Sequence, residues 1–103
     1  ILQLIDVNLY GSITACWFNG TLKDYESGAI VRYNYKIITS CYWGGNTGQG
    51  VLRNEGGTVD ATKVDGATVK WQTAVDGMNT ALTAGDYQWA LGTNGLPVLQ
   101  KKQ

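Results

Sequence analysis

The sequence predicts a mainly β chain: a short β-solenoid of stacked coils, with one α-helix and a C-terminal hairpin as its cap. Three observations predict it. The segment Ile13-Thr14-Ala15-Cys16-Trp17 recurs as Ile38-Thr39-Ser40-Cys41-Tyr42, a shift of 25 residues that also carries Ile5 onto Ile30, Tyr10 onto Tyr35 and Gly20 onto Gly45. β-Branched and aromatic residues fill short runs broken by glycine or asparagine, as in strands joined by turns. Only residues 70–83 change to a helical period. A unit of about 25 residues made of short strands cannot bury its apolar side alone, so neighbouring units must stack. An antiparallel β-sandwich carrying one helix would use the same alternation and is the competing architecture.

Taken in order, strands are expected over 2–10 and 12–18, a turn at Asn19-Gly20, and strands over 29–35 and 37–43 before Gly44-Gly45-Asn46. A degenerate third unit begins near Gly57, where Thr58 and Val59 revive the alternation but no cysteine or aromatic follows. Trp71, Ala74, Val75, Met78, Ala81 and Leu82 share one helical face. Gly77 within that helix costs about 1 kcal/mol relative to alanine, so packing must hold it. Gly85 suits its end. Strands over 87–91 and 96–99, joined by Gly92-Thr93-Asn94-Gly95, read as a hairpin, and Lys101-Lys102-Gln103 as a frayed tail. Helix and hairpin are expected to cover the open edge of the last coil, which would otherwise accept further strands. The 103 residues make one domain, with two repeat units through residue 54 and the degenerate repeat plus cap from 55. With no initiator Met and alternation from the first residue, the chain reads as the C-terminal piece of a longer protein.

Eight basic residues balance eight acidic ones, which gives no reason to expect nucleic acid as partner and slightly favours self-association. No apolar run is long enough for a membrane span. Histidine is absent, which removes the commonest general base and metal ligand, so no catalytic residue, metal or cofactor is assigned and the chain is read as a non-enzyme. An enzyme fragment completed by missing sequence is the weaker rival. Asp24 and Glu26, the only close acidic pair, read as a solvated turn. Asp60 and Asp65-Gly66 could offer oxygens to calcium, but their spacing fits no calcium loop and a polar turn is the simpler reading. The glycine-rich run 44–50 lacks the Lys-Ser/Thr ending of a phosphate loop, and Asn19-Gly20-Thr21 marks a turn more plausibly than a glycosylation site.

Two kinds of side chain remain as candidates. Cys16 and Cys41 fall one coil apart, at the inter-strand spacing, as a buried ladder or a disulfide. Alternation then sends Trp17 and Tyr42 to the opposite face, where an outward stacked pair, joined by Tyr33 or Tyr35, could bind a glycan or a protein. The bland alternative is that these aromatics simply pack.

The run Ser27-Gly28-Ala29-Ile30-Val31-Arg32-Tyr33-Asn34, followed by Ile38-Thr39-Ser40-Cys41-Tyr42-Trp43, resembles the GLUG-type repeat of adhesin-like surface proteins of Bacteroides-type bacteria. Ser27 and Arg32 stand where that repeat carries glycines. Met78-Asn79, Tyr87-Gln88-Trp89 and Leu96-Pro97-Val98-Leu99 resemble the way such arrays end, so the likeness covers about residues 4–45 and 71–99. It implies a cell-surface or secreted protein with an adhesive or structural role, and it brings no catalytic residues. A carbohydrate-binding module of a secreted glycan-processing protein is the alternative.

Overall fold

The echo between residues 13–17 and 38–42 is a spatial one. In the computed structural model, which describes residues 5–21, 28–46 and 48–103, the two segments run side by side as parallel strands in matching register. Along the chain lie β1 (Ile5–Asn8), β2 (Ser12–Thr14), β3 (Trp17–Gly20), β4 (Val31–Asn34), β5 (Ile37–Gly45), β6 (Val51–Asn54) and β7 (Thr58–Lys63), then α1 (Trp71–Thr80), β8 (Tyr87–Leu91) and β9 (Pro97–Lys101). The chain is thus mainly β, with nine strands in several sheets and a single helix among the described residues, and it does not close into a barrel. One sheet has the order β1-β4-β6. A second joins β2 and β3 to β5, and β5 to β7. Every pairing among β1 to β7 is parallel, whereas β8 and β9 pair antiparallel.

Register explains the fading of the repeat. From the first layer to the second the offset is 25 residues at Ser12 opposite Ile37 and Trp17 opposite Tyr42, as expected. From the second to the third it falls to 20 at Cys41 opposite Ala61 and Tyr42 opposite Thr62, so a search at a constant shift misses the third unit. Ala15 and Ser40 adopt the same left-handed conformation, with φ of 54° and 52°, at equivalent places in the first two layers. The third layer slips in register opposite that kink, where the Asp60 carboxylate accepts the Ser40 N–H at 2.9 Å.

At the corner between the sheets, three asparagines stack. Asn8 Nδ2 donates to Asn34 Oδ1 at 2.8 Å, and Asn34 Nδ2 donates to Asn54 Oδ1 at 3.0 Å. Asn8 and Asn34 are buried, a position that a carboxamide tolerates only when its hydrogen bonds are made. Asn34 Nδ2 also reaches Lys36 O, and Asn54 Nδ2 donates to Gly57 O. Gly57 is obligatory here, because a Cβ would run into the Lys36 carbonyl. These bonds tie each strand of the first sheet to the next turn and to its neighbours in the stack.

Two cores result. Between the sheets, Ile13, Ile30, Val31, Ile38 and Cys41 form an inner core, flanked by Cys16, Phe18 and Trp43. On the far side of the second sheet, Ala15, Val64, Ala74 and Met78 form an outer core with Trp17, Tyr42, Trp71 and Trp89. The expected alternation holds, since Cys16 and Cys41 face inward while Trp17 and Tyr42 face the other way.

Two expectations need correction. Helix and hairpin lie across the outer face of the second sheet, with α1 packed on β5, and do not sit on the edge of β7. In this place they remove the Trp17 and Tyr42 side chains from water. The tail does not fray, because Lys101 pairs within β9 while Lys102 N–H donates to Asp86 O and its Nζ to Leu82 O. The Asp24 and Glu26 pair, the start of the first expected strand and Ser27 lie outside the described residues.

Candidate functional site

Trp17 and Tyr42 do stand opposite each other in register, but they are not an exposed platform. The Trp17 ring meets Trp71 edge-on at 5.3 Å and Trp89 at 6.3 Å. Trp89 Nε1 donates to Ala15 O at 2.9 Å, which fastens the hairpin to the first layer. Tyr42 lies beneath α1, and its ring and hydroxyl fill the space that a side chain at residue 77 would need. Gly77 is therefore the seat of the helix on the sheet. Burial also raises the Tyr42 phenol above its ordinary pKa. Tyr33 belongs to β4 in the other sheet, with the Arg32 guanidinium 5.0 Å over its ring, and Tyr35 stands exposed just beyond that strand. The structure does not bring them to the Trp17 and Tyr42 pair.

Cys16 and Cys41 stand side by side on neighbouring strands, with both thiols free. Cys41 is fully buried and Cys16 only partly. Strand pairing sets them together, since Tyr42 N–H donates to Cys16 O at 3.0 Å and Cys41 Sγ reaches Ile13 O at 3.7 Å. The neighbouring Cys41 side chain favours the Cys16 thiolate and draws Cys16 down to about 7, against the opposing effect of burial. The Cys16 side chain beside it and burial together push Cys41 up. The two thiols of adjacent strands are shifted in opposite directions, Cys16 down and Cys41 up.

Asp60 and Asp65 are engaged by backbone rather than poised for calcium. Asp65 Oδ1 accepts the N–H groups of Ala67, Thr68 and Val69, each at 2.9 Å, which holds its carboxyl below the usual range and shapes the turn into α1. This turn borders the concavity that the sequence did not reveal. A cleft of about 580 Å³ opens where the ends of β3 and β5 meet the start of α1 and the β8–β9 hairpin. Trp71, Val64 and Leu91 give it apolar surface, Gly44 and Gly45 bring backbone to its wall, and Asn19, Asp65, Lys70 and Gln72 add polar groups. Gly44 lies under Trp71, where a Cβ would meet the indole ring at 2.9 Å. No motif could have announced this site, because its walls come from segments distant in sequence. The asparagine stack had a signal, the recurrence of asparagine at 8, 34 and 54, but its uneven spacing hid it from a search at 25.

No family model, no curated protein and no solved structure matches the chain. Among the described residues no helix is long and apolar enough to cross a membrane.

Proposed function

We propose that this chain is a short β-solenoid and serves as a non-catalytic adhesion or structural module of a bacterial cell-surface or secreted protein. The observation that carries the reading is like residues stacked over like across parallel strands: Asn8, Asn34 and Asn54, Cys16 and Cys41, and Trp17 opposite Tyr42. Such stacking is how repeat proteins bury a surface that one unit cannot bury alone. The resemblance of residues 27–34 and 38–43 to the GLUG-type repeat supports the same setting. Catalysis has no support in the cleft, whose carboxylate, Asp65, already serves three backbone amides and whose remaining polar groups are two amides and a lysine. The test is retention of beads coated with the chain on surfaces bearing glycoprotein or polysaccharide, compared with beads carrying the unfolded chain. Retention above that control is expected. Equal retention would withdraw adhesion and leave a structural repeat. The cleft beside Trp71 favours the second reading, a carbohydrate-binding module of a glycan-processing protein.

A further inference from the structure

We propose that the cleft beside Trp71 binds a short neutral oligosaccharide, stacked on the Trp71 indole and hydrogen-bonded by Asn19, Gln72 and Asp65. The proposal rests on the adhesive reading above and names its ligand class. A cleft of about 580 Å³ is within the range of small-ligand sites and has room for a short sugar chain. An indole offers a flat apolar surface to the C–H face of a pyranose. Carboxamides both donate and accept, as sugar hydroxyls do. Asn19 and Gln72 are exposed, and Gln72 Nε2 is held by Asp76 Oδ1 at 2.9 Å, which fixes the direction of its carbonyl.

Two features narrow the class. The cleft carries one carboxylate and one ammonium, Asp65 and Lys70, and no cluster of cations that would select a phosphate or a uronate. Its groups are also held before any ligand arrives. The Asp65 carboxylate is set by three backbone N–H bonds, and the half-buried Trp71 is held by its contacts with Gly44 and Trp17 while the rest of its indole lines the cleft, so little side-chain freedom is lost on binding. The more exposed aromatics, Tyr10 and Tyr87, do not line this cleft.

The test uses the isotope-labelled chain and three neutral trisaccharides, cellotriose, maltotriose and chitotriose, with a uronate trisaccharide and triglycine as comparison probes. At least one neutral sugar should move the Trp71 indole N–H and the amides of Gly44, Gly45 and Gly66 saturably at or below about 10 mM. Asn19→Ala and Gln72→Ala change exposed side chains and should keep the native spectrum while weakening binding roughly 3- to 10-fold each, the loss of one hydrogen bond. Absence of saturable shifts with all three neutral sugars would overturn the proposal. So would shifts confined to Tyr10 or Tyr87, or a response only to triglycine or to the uronate. Bead retention that survives both variants would keep adhesion and remove the cleft from it, whereas a parent chain that shows neither retention nor sugar shifts would remove both readings.

Discussion

The two faces of the second sheet are built on different principles. Inward, the sheet meets its partner through Ile13, Ile38 and Cys41, small or β-branched residues that repeat from layer to layer and are joined at the corner by the asparagine stack. Outward, it meets α1 and the hairpin through Trp17 and Tyr42 against Trp71, Met78 and Trp89, unlike residues fitted together once. The inner face uses repetition and hydrogen bonds that run along the stack. The outer face uses large aromatic areas and one particular fit. Removing one member of a repeated ladder therefore harms its neighbours above and below, while damage to the cover stays with the cover.

The largest expected effect lies in the ladder. Asn34→Ala leaves the buried Asn8 amide without its acceptor and takes a donor from Lys36 O and Thr58 O, and at about 1–3 kcal/mol per unsatisfied buried group the loss should reach about 2–4 kcal/mol. Urea unfolding followed by β-sheet circular dichroism would show it as a single, earlier transition, and an unchanged midpoint would deny the stack its role. Next is the seat of the cover. Gly77→Val drives two methyl groups into the Tyr42 hydroxyl and should cost about 1–3 kcal/mol by overpacking. Hydrogen exchange should then quicken in α1 before it quickens in β5, and equal acceleration in both would show that the two faces unfold as one. Trp89→Phe keeps a ring in the outer core but removes the hydrogen bond to Ala15 O, and should cost about 1 kcal/mol in the same urea experiment, beyond the smaller ring area.

The smallest effect tests the one polar event inside the inner face. Cys16 sits near 7 in the folded chain and near 9.0 when unfolded, so its contribution to stability is present above pH 9 and is lost as pH falls through 7. Cys41 is shifted the other way, so above pH 9 the unfolded chain ionises a thiol that the folded chain keeps protonated, and stability declines again. Under reducing conditions the urea midpoint should therefore rise between pH 7 and 9 and fall beyond it. Cys41→Ala should flatten the rise, and should slow iodoacetamide labelling of Cys16 at neutral pH by returning its thiol to the protonated form. A pH profile identical to that of the parent would show that Cys41 does not govern the ionisation of Cys16.

Much of the architecture was legible because it is periodic. The alternation around Cys16 and Cys41 assigned opposite faces to the thiols and the aromatics, and the helical spacing from Trp71 to Leu82 located α1. What covers Trp17 and Tyr42 was not legible, since alternation says which way a side chain points and nothing about what arrives there. The same limit turned an expected binding platform into a packing surface. Gly77 read as a penalty within a helix, and only contact with Tyr42 shows it as a requirement.

The sequence by itself determined the strand-rich character, the first two units of the stack, the helix and the hairpin, because each follows from periods of two, 3.6 and 25 that local chemistry imposes. Tertiary structure alone decided that helix and hairpin lie on a face and not an edge, that a third layer joins at a shorter offset, and that Asn19, Gly44, Asp65 and Trp71 border one cleft. Those outcomes depend on which apolar faces meet and on how loop lengths bring distant segments together. These are properties of the whole chain that no local window contains.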